Sequence, residues 1–143
     1  MEASVSGVYL PNRSTRWSRP LLMWRIPAAF PSPAEDYLEG RIDLNLDLIK
    51  HPLSTFYVRV ASDSMTPTIH AGALLVVDRT MESKDGDIII ARVGDGLCVK
   101  RLHTEKGGRI WLLSENEDYA PIEITEELDF EVWGRVIYSI QPH

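Results

Sequence analysis

Beyond about residue 50, the apolar positions of this chain fall into short runs separated by turn residues. The stretches 56–60, 73–78, 87–93, 97–103, 109–113 and 130–140 are rich in valine, isoleucine and aromatic side chains, and each predicts a strand. Gly94-Asp95-Gly96 and Lys106-Gly107-Gly108 lie between consecutive runs and predict hairpin turns. Residues 43–49 predict a short helix or turn, closed by Pro52. Several short strands at close spacing predict a mostly β, barrel-like or folded-sheet domain over residues 34–143. No internal repeat or low-complexity tract interrupts the pattern.

The first 33 residues read differently. They hold five of the nine prolines (Pro11, Pro20, Pro27, Pro31 and Pro33), which remove backbone donors and bias their predecessors toward extended conformations. Residues 1–33 are therefore expected to form an extended arm rather than a core element. Arg13, Arg16, Arg19 and Arg25 against Glu2 alone make the arm +3, while 11 basic and 20 acidic side chains make the remainder −9. A basic arm can dock on an acidic body. Leu21, Leu22, Met23 and Trp24 are the longest apolar run in it, too short for the 7–15-residue apolar region of a secretory signal.

Composition narrows the function classes. The charge of −6 argues against direct, non-specific binding to duplex DNA. No apolar run approaches 18 residues, which excludes a transmembrane helix. The single cysteine, Cys98, excludes a disulfide framework and a cysteine-rich zinc site, and His51, His70, His103 and His143 lie too far apart for metal-ligand spacing. No cofactor or metal is expected, and a soluble, cytoplasmic protein is.

Two residues invite chemistry. Ser64 follows the 56–60 strand in Ala61-Ser62-Asp63-Ser64-Met65-Thr66-Pro67, at a predicted strand-to-helix junction where free backbone N–H groups could form an oxyanion hole. Equally, Ser62, Asp63 or Ser64 could simply cap a helical turn, and on the segment alone cap preference favours that reading. Alternation along 97–103 puts Cys98, Lys100 and Leu102 on one face and Val99, Arg101 and His103 on the other. A lysine on an apolar face is desolvated, which favours the neutral amine a general base requires. The competing reading is a strand lysine that snorkels to the sheet edge. Asp87 reads as a turn residue, Ser114–Asp118 as a solvated acidic loop without calcium-site spacing, and Cys98 as a small core residue. Trp111 and Trp133 fit core or interface positions; Trp17 and Trp24 lie in the arm.

Ordered motifs add a resemblance. Phe30-Pro31-Ser32-Pro33-Ala34-Glu35-Asp36-Tyr37, Arg41-Ile42-Asp43-Leu44-Asn45 and His51-Pro52 resemble the N-terminal part of UmuD and MucA proteins, the SOS-mutagenesis members of the LexA-type self-cleaving serine peptidase family. The likeness continues through Ser62-Asp63-Ser64-Met65, Leu74-Leu75-Val76-Val77-Asp78, Gly86-Asp87-Ile88 and Val99-Lys100-Arg101-Leu102, covering roughly residues 28–140. It implies a LexA/signal-peptidase-like folded-sheet peptidase domain with a mobile N-terminal arm. Carried over, Ser64 matches the nucleophile and Lys100 the general base, with the backbone N–H groups of Asp63 and Ser64 as the oxyanion hole. The implied substrate is the arm itself, cut between Ala28 and Ala29. The family commonly has Cys-Gly or Ala-Gly at that bond, so the methyl of Ala29 is a departure that restricts the backbone and predicts either slower cleavage or a stricter arm conformation.

The resemblance further implies a homodimer, stimulation by a RecA–single-stranded DNA filament, and a trimmed form that joins a Y-family, UmuC-like translesion polymerase subunit. An arm this short and proline-rich does not accommodate the helix-turn-helix of a LexA repressor. Two other classes compete: a non-cleaving binding module that recruits a polymerase or transcription partner, and a leader peptidase, which the lack of a membrane anchor disfavours.

Overall fold

The fold is described from a computed structural model over residues 5–10, 18–22, 38–43 and 48–143, the second and third stretches as backbone only. The described residues form ten strands, β1 (Val5–Tyr9), β2 (Ser18–Leu22), β3 (Leu38–Asp43), β4 (Thr55–Val60), β5 (Leu74–Asp78), β6 (Ile88–Val93), β7 (Gly96–Thr104), β8 (Ile110–Leu113), β9 (Ile122–Ile124) and β10 (Phe130–Ile140). The protein is mostly β, as the run pattern predicts, and no strand-to-helix junction follows β4. All six expected strands are present to within two residues. Asp43 closes β3 instead of opening a helix, and residues 44–47 lie outside the described residues.

The chain divides into two compact units, 11–52 and 1–10 with 53–143. In the first, β2 and β3 pair antiparallel, from Ser18 opposite Asp43 to Leu22 opposite Leu38. Ala28, Ala29, Trp17 and Trp24 fall outside the described residues.

The second unit is one eight-stranded antiparallel sheet in the order β1-β4-β5-β10-β6-β7-β8-β9. Val5–Tyr9 is extended, as expected of the arm, but it is also the sheet's edge strand beside β4, and Val5 packs against the core. The eleven residues of β10 hold the sheet together, pairing with β6 over their first half and with β5 over their second. Register shifts at 132–134 and 136–138 bend β10 at both places.

Both faces of the bent sheet bury apolar side chains. One core gathers Val58, Val60, Met65, Ile69, Leu75, Val77, Ile90 and Val99; the other gathers Ile89, Ala91, Cys98, Leu102 and Leu112. The Ile88–Ala91 stretch of β6 is continuously apolar for this reason: Ile88 and Ile90 serve the first core, Ile89 and Ala91 the second. Each such isoleucine contributes about 1.5–3 kcal/mol when fully buried. At the β6–β7 hairpin, Gly94 takes a left-handed φ of 57°, which a two-residue turn demands and a glycine supplies without strain.

Candidate active site

Two polar side chains that the core would ordinarily exclude define the site. Ser64 is 1% exposed and Lys100 is 3% exposed. Ser64 sits in the turn-rich segment that leaves β4. Thr66 N–H donates to the Asp63 carbonyl at 3.1 Å and Ile69 N–H to the Met65 carbonyl at 2.8 Å, while Met65 and Ile69 anchor the segment in the first core. The capping role open to Ser62, Asp63 and Ser64 falls to Ser62. Its Oγ accepts the Ser64 N–H at 3.5 Å and donates to Ser64 Oγ at 3.1 Å, so the Ser64 hydroxyl is an acceptor in a short hydroxyl pair. The Asp63 N–H, the other expected oxyanion donor, bonds to none of the described residues.

Lys100 is on β7, opposite Ile89 of β6 and flanked on its own face by Cys98 and Leu102, all buried. The alternation read from sequence therefore holds, and Lys100 does not snorkel outward. Its Nζ donates to Ser114 Oγ at 2.6 Å and lies 5.3 Å from the centre of the Tyr119 ring. Among the described residues, no carboxylate is within ion-pair distance of it. An amine so placed costs stability rather than adding to it.

The Ser114–Asp118 loop, expected to be a solvated acidic stretch, is exposed at Glu117 and Asp118 but half-buried over Ser114, Glu115 and Asn116. Of its carboxylates, Glu115 is held by Arg101, whose Nε donates to Oε1 at 2.7 Å. Asn116 and Tyr119 reach the Ser64 turn. Asn116 N–H donates to the Ser64 carbonyl at 3.0 Å, Asn116 Nδ2 to the Asp63 carbonyl at 3.2 Å, and Tyr119 OH to Asp63 Oδ1 at 2.6 Å. Ser64 and Lys100 are thus tied to one loop, Ser64 through its backbone and Lys100 through its amine. Ser114, Asn116 and Tyr119 had no signal in their own segment; the β7–β8 register brings them in.

Two comparisons identify the architecture. A model of the Peptidase S24-like family matches residues 20–137, a span that includes Ser64 and Lys100. The chain belongs to the peptidase S24-like family. Protein SamA of Salmonella typhimurium is 46% identical over 118 residues, 82% of this chain and 81% of SamA. Protein MucA of Escherichia coli is 35% identical over 128 residues, 88% of this chain and 86% of MucA. LexA repressor 1 of Pseudomonas syringae pv. tomato is 36% identical over 121 residues, covering 82% of this chain and 59% of the repressor. These relatives agree with the UmuD/MucA-like, LexA-type resemblance read from the motifs, and the mostly β fold agrees with it too.

The remaining candidates are structural. Asp87 Oδ2 accepts the Lys84 N–H at 2.8 Å and meets Arg135 Nε at 3.4 Å, which makes it a turn residue. Cys98 is a buried core thiol. Trp133 packs on the first core, edge-on to Phe56 and under Arg79. Among the described residues, no group of three or more His, Cys, Asp or Glu could hold a metal ion, and no helix is long and apolar enough to cross a membrane.

Proposed function

We propose that this chain is a self-cleaving serine peptidase of the SOS response, cutting its own arm between Ala28 and Ala29 with Ser64 as nucleophile and Lys100 as general base. The observation that supports this most is the burial of both side chains beside one shared loop, with the amine on a hydroxyl rather than a carboxylate. In this reading residues 1–33 are the arm and 34–143 the peptidase domain.

The neutral Lys100 amine takes the Ser64 Oγ proton as the oxygen attacks the Ala28 carbonyl carbon. The Asp63 and Ser64 N–H groups stabilise the oxyanion, which requires Ser64 N–H to leave its long bond to Ser62. Collapse breaks the Ala28–Ala29 bond, and the Lys100 ammonium gives its proton to the departing Ala29 amine. Water, deprotonated by Lys100, then hydrolyses the Ala28 ester and restores Ser64. Because the substrate is tethered, its effective concentration is high and intrinsic affinity for it can be low.

The UmuD/MucA likeness supports the rest of the reading. A RecA–single-stranded DNA filament stimulates cleavage, the protein works as a cytoplasmic homodimer, and the trimmed form is an accessory subunit of an error-prone Y-family polymerase. Incubation of the full chain with RecA filaments, read by intact mass, tests this. Release of residues 1–28 is the expected result. A chain that stays whole but still co-purifies with a Y-family polymerase would instead make it a non-cleaving binding module.

A further inference from the structure

We propose that Ser114 is a positioning residue for the Lys100 amine, one that holds it in place both as the neutral base and as the ammonium acid. The inference rests on the dyad reading and adds to it the element that holds the base.

Strand register creates the contact. Arg101 of β7 pairs with Leu113 of β8 at the end of the ladder, so Lys100 and Ser114 are the next opposed positions, on the face that Leu102 and Leu112 share one step away. Side chains of adjacent residues alternate, so the same two steps of chain make a bond on each face. Lys100 meets Ser114 on one, and Arg101 meets Glu115 on the other. Arg101 Nη1 also donates to the Gly86 carbonyl at 2.6 Å, which fixes the guanidinium that holds Glu115. Ser114 is thereby braced by its neighbour, and through Asn116 and Tyr119 the same loop is braced on the Ser64 turn.

The chemistry of the partner matters as much as its place. A hydroxyl oxygen accepts an N–H from an ammonium and, more weakly, from a neutral amine. The 2.6 Å bond can therefore persist while Lys100 gains and loses the proton. A carboxylate at that position would favour the ammonium and remove the base. With one N–H on Ser114 and the Tyr119 ring on another side, rotation of the amine is restricted and its lone pair keeps one direction. Among the described residues, the titratable groups around it are the Cys98 thiol on its own strand face, Tyr119 and, through the Tyr119 hydroxyl, Asp63; Glu115 is committed to Arg101.

Ser114→Ala, Ser114→Thr and Ser114→Asp in the full chain test the proposal, with the release of residues 1–28 timed from about pH 6 to about pH 11. The alanine variant should cut about tenfold more slowly or worse, the size of one lost hydrogen bond, and the threonine should recover most of the rate. The aspartate should move the alkaline rise in rate upward by about 1–3 pH units. An alanine variant with the parent's rate and pH profile would overturn the proposal.

A second readout does not need cleavage. In Ser64→Ala protein, the ¹³Cε signal of Lys100 should titrate about 1–3 pH units higher once Ser114→Asp is added. An unchanged midpoint would also overturn the proposal. Cutting by Lys100→Ala protein at the parent's rate would count against the dyad reading instead, and the titration would still decide whether Ser114 holds the amine.

Discussion

Tyr119 and Asp63, 56 residues apart in sequence, are joined by a 2.6 Å hydrogen bond from the phenol to the carboxylate. That bond links the loop beside Lys100 to the turn that carries Ser64. Tyr119→Phe removes the hydroxyl and keeps the ring against Lys100. Self-cleavage should slow about fivefold, matching one hydrogen bond of about 1 kcal/mol. Timed intact-mass measurements check this, and a rate equal to the parent's would show that the link does not serve the site.

Lys100 itself should be kept at the expense of stability. Lys100→Met fills the same stripe between Cys98 and Leu102 with an apolar side chain of similar length. Unfolding in urea should show a variant more stable by on the order of 1 kcal/mol, and inactive in self-cleavage. A less stable variant would mean that the amine supports the fold.

Gly134 lies where β10 passes the core, and a Cβ added there would stand 2.5 Å from Val77 Cγ1. Val77 is fully buried and packed on all sides, so it has little room to yield. Gly134→Ala should cost about 1–3 kcal/mol, measured as a lower urea midpoint with an unchanged slope.

The Asp85 carboxyl is held below the usual carboxylate range, chiefly by the Thr104 backbone N–H at 2.8 Å and also by His103 at 3.3 Å. A lowered native pKa means stability that is present above the unfolded value of 3.8 and is lost as pH falls through the native value. Asp85→Asn should flatten the acid side of the stability curve below about pH 4. Urea unfolding across that range checks the sign, and a curve as steep as the parent's would contradict it.

Much of the fold was legible because the strand runs are apolar, short and separated by glycine-containing turns. Ile122–Ile124 was missed because three residues after Pro121 are too few to show a period. Val5–Tyr9 was read only as extended arm, since its place at the sheet edge depends on pairing with β4, about 50 residues away. In the site, alternation along β7 correctly put Lys100 with Cys98 and Leu102. It did not show that Val99 on the opposite face is equally buried, because it could not reveal a core on each side of the sheet. The acidic composition around Ser114 concealed the loop's role. Only the register of β7 against β8 reveals that Ser114 stands opposite Lys100 and that Glu115 is neutralised by Arg101.

The most direct test is the intact mass of the purified full-length chain after incubation at about pH 10, where a larger fraction of lysine side chains is neutral, beside Ser64→Ala and Lys100→Ala. The account predicts loss of residues 1–28 from the parent and two variants that remain whole. Loss of residues 1–28 from either variant as readily as from the parent would contradict it.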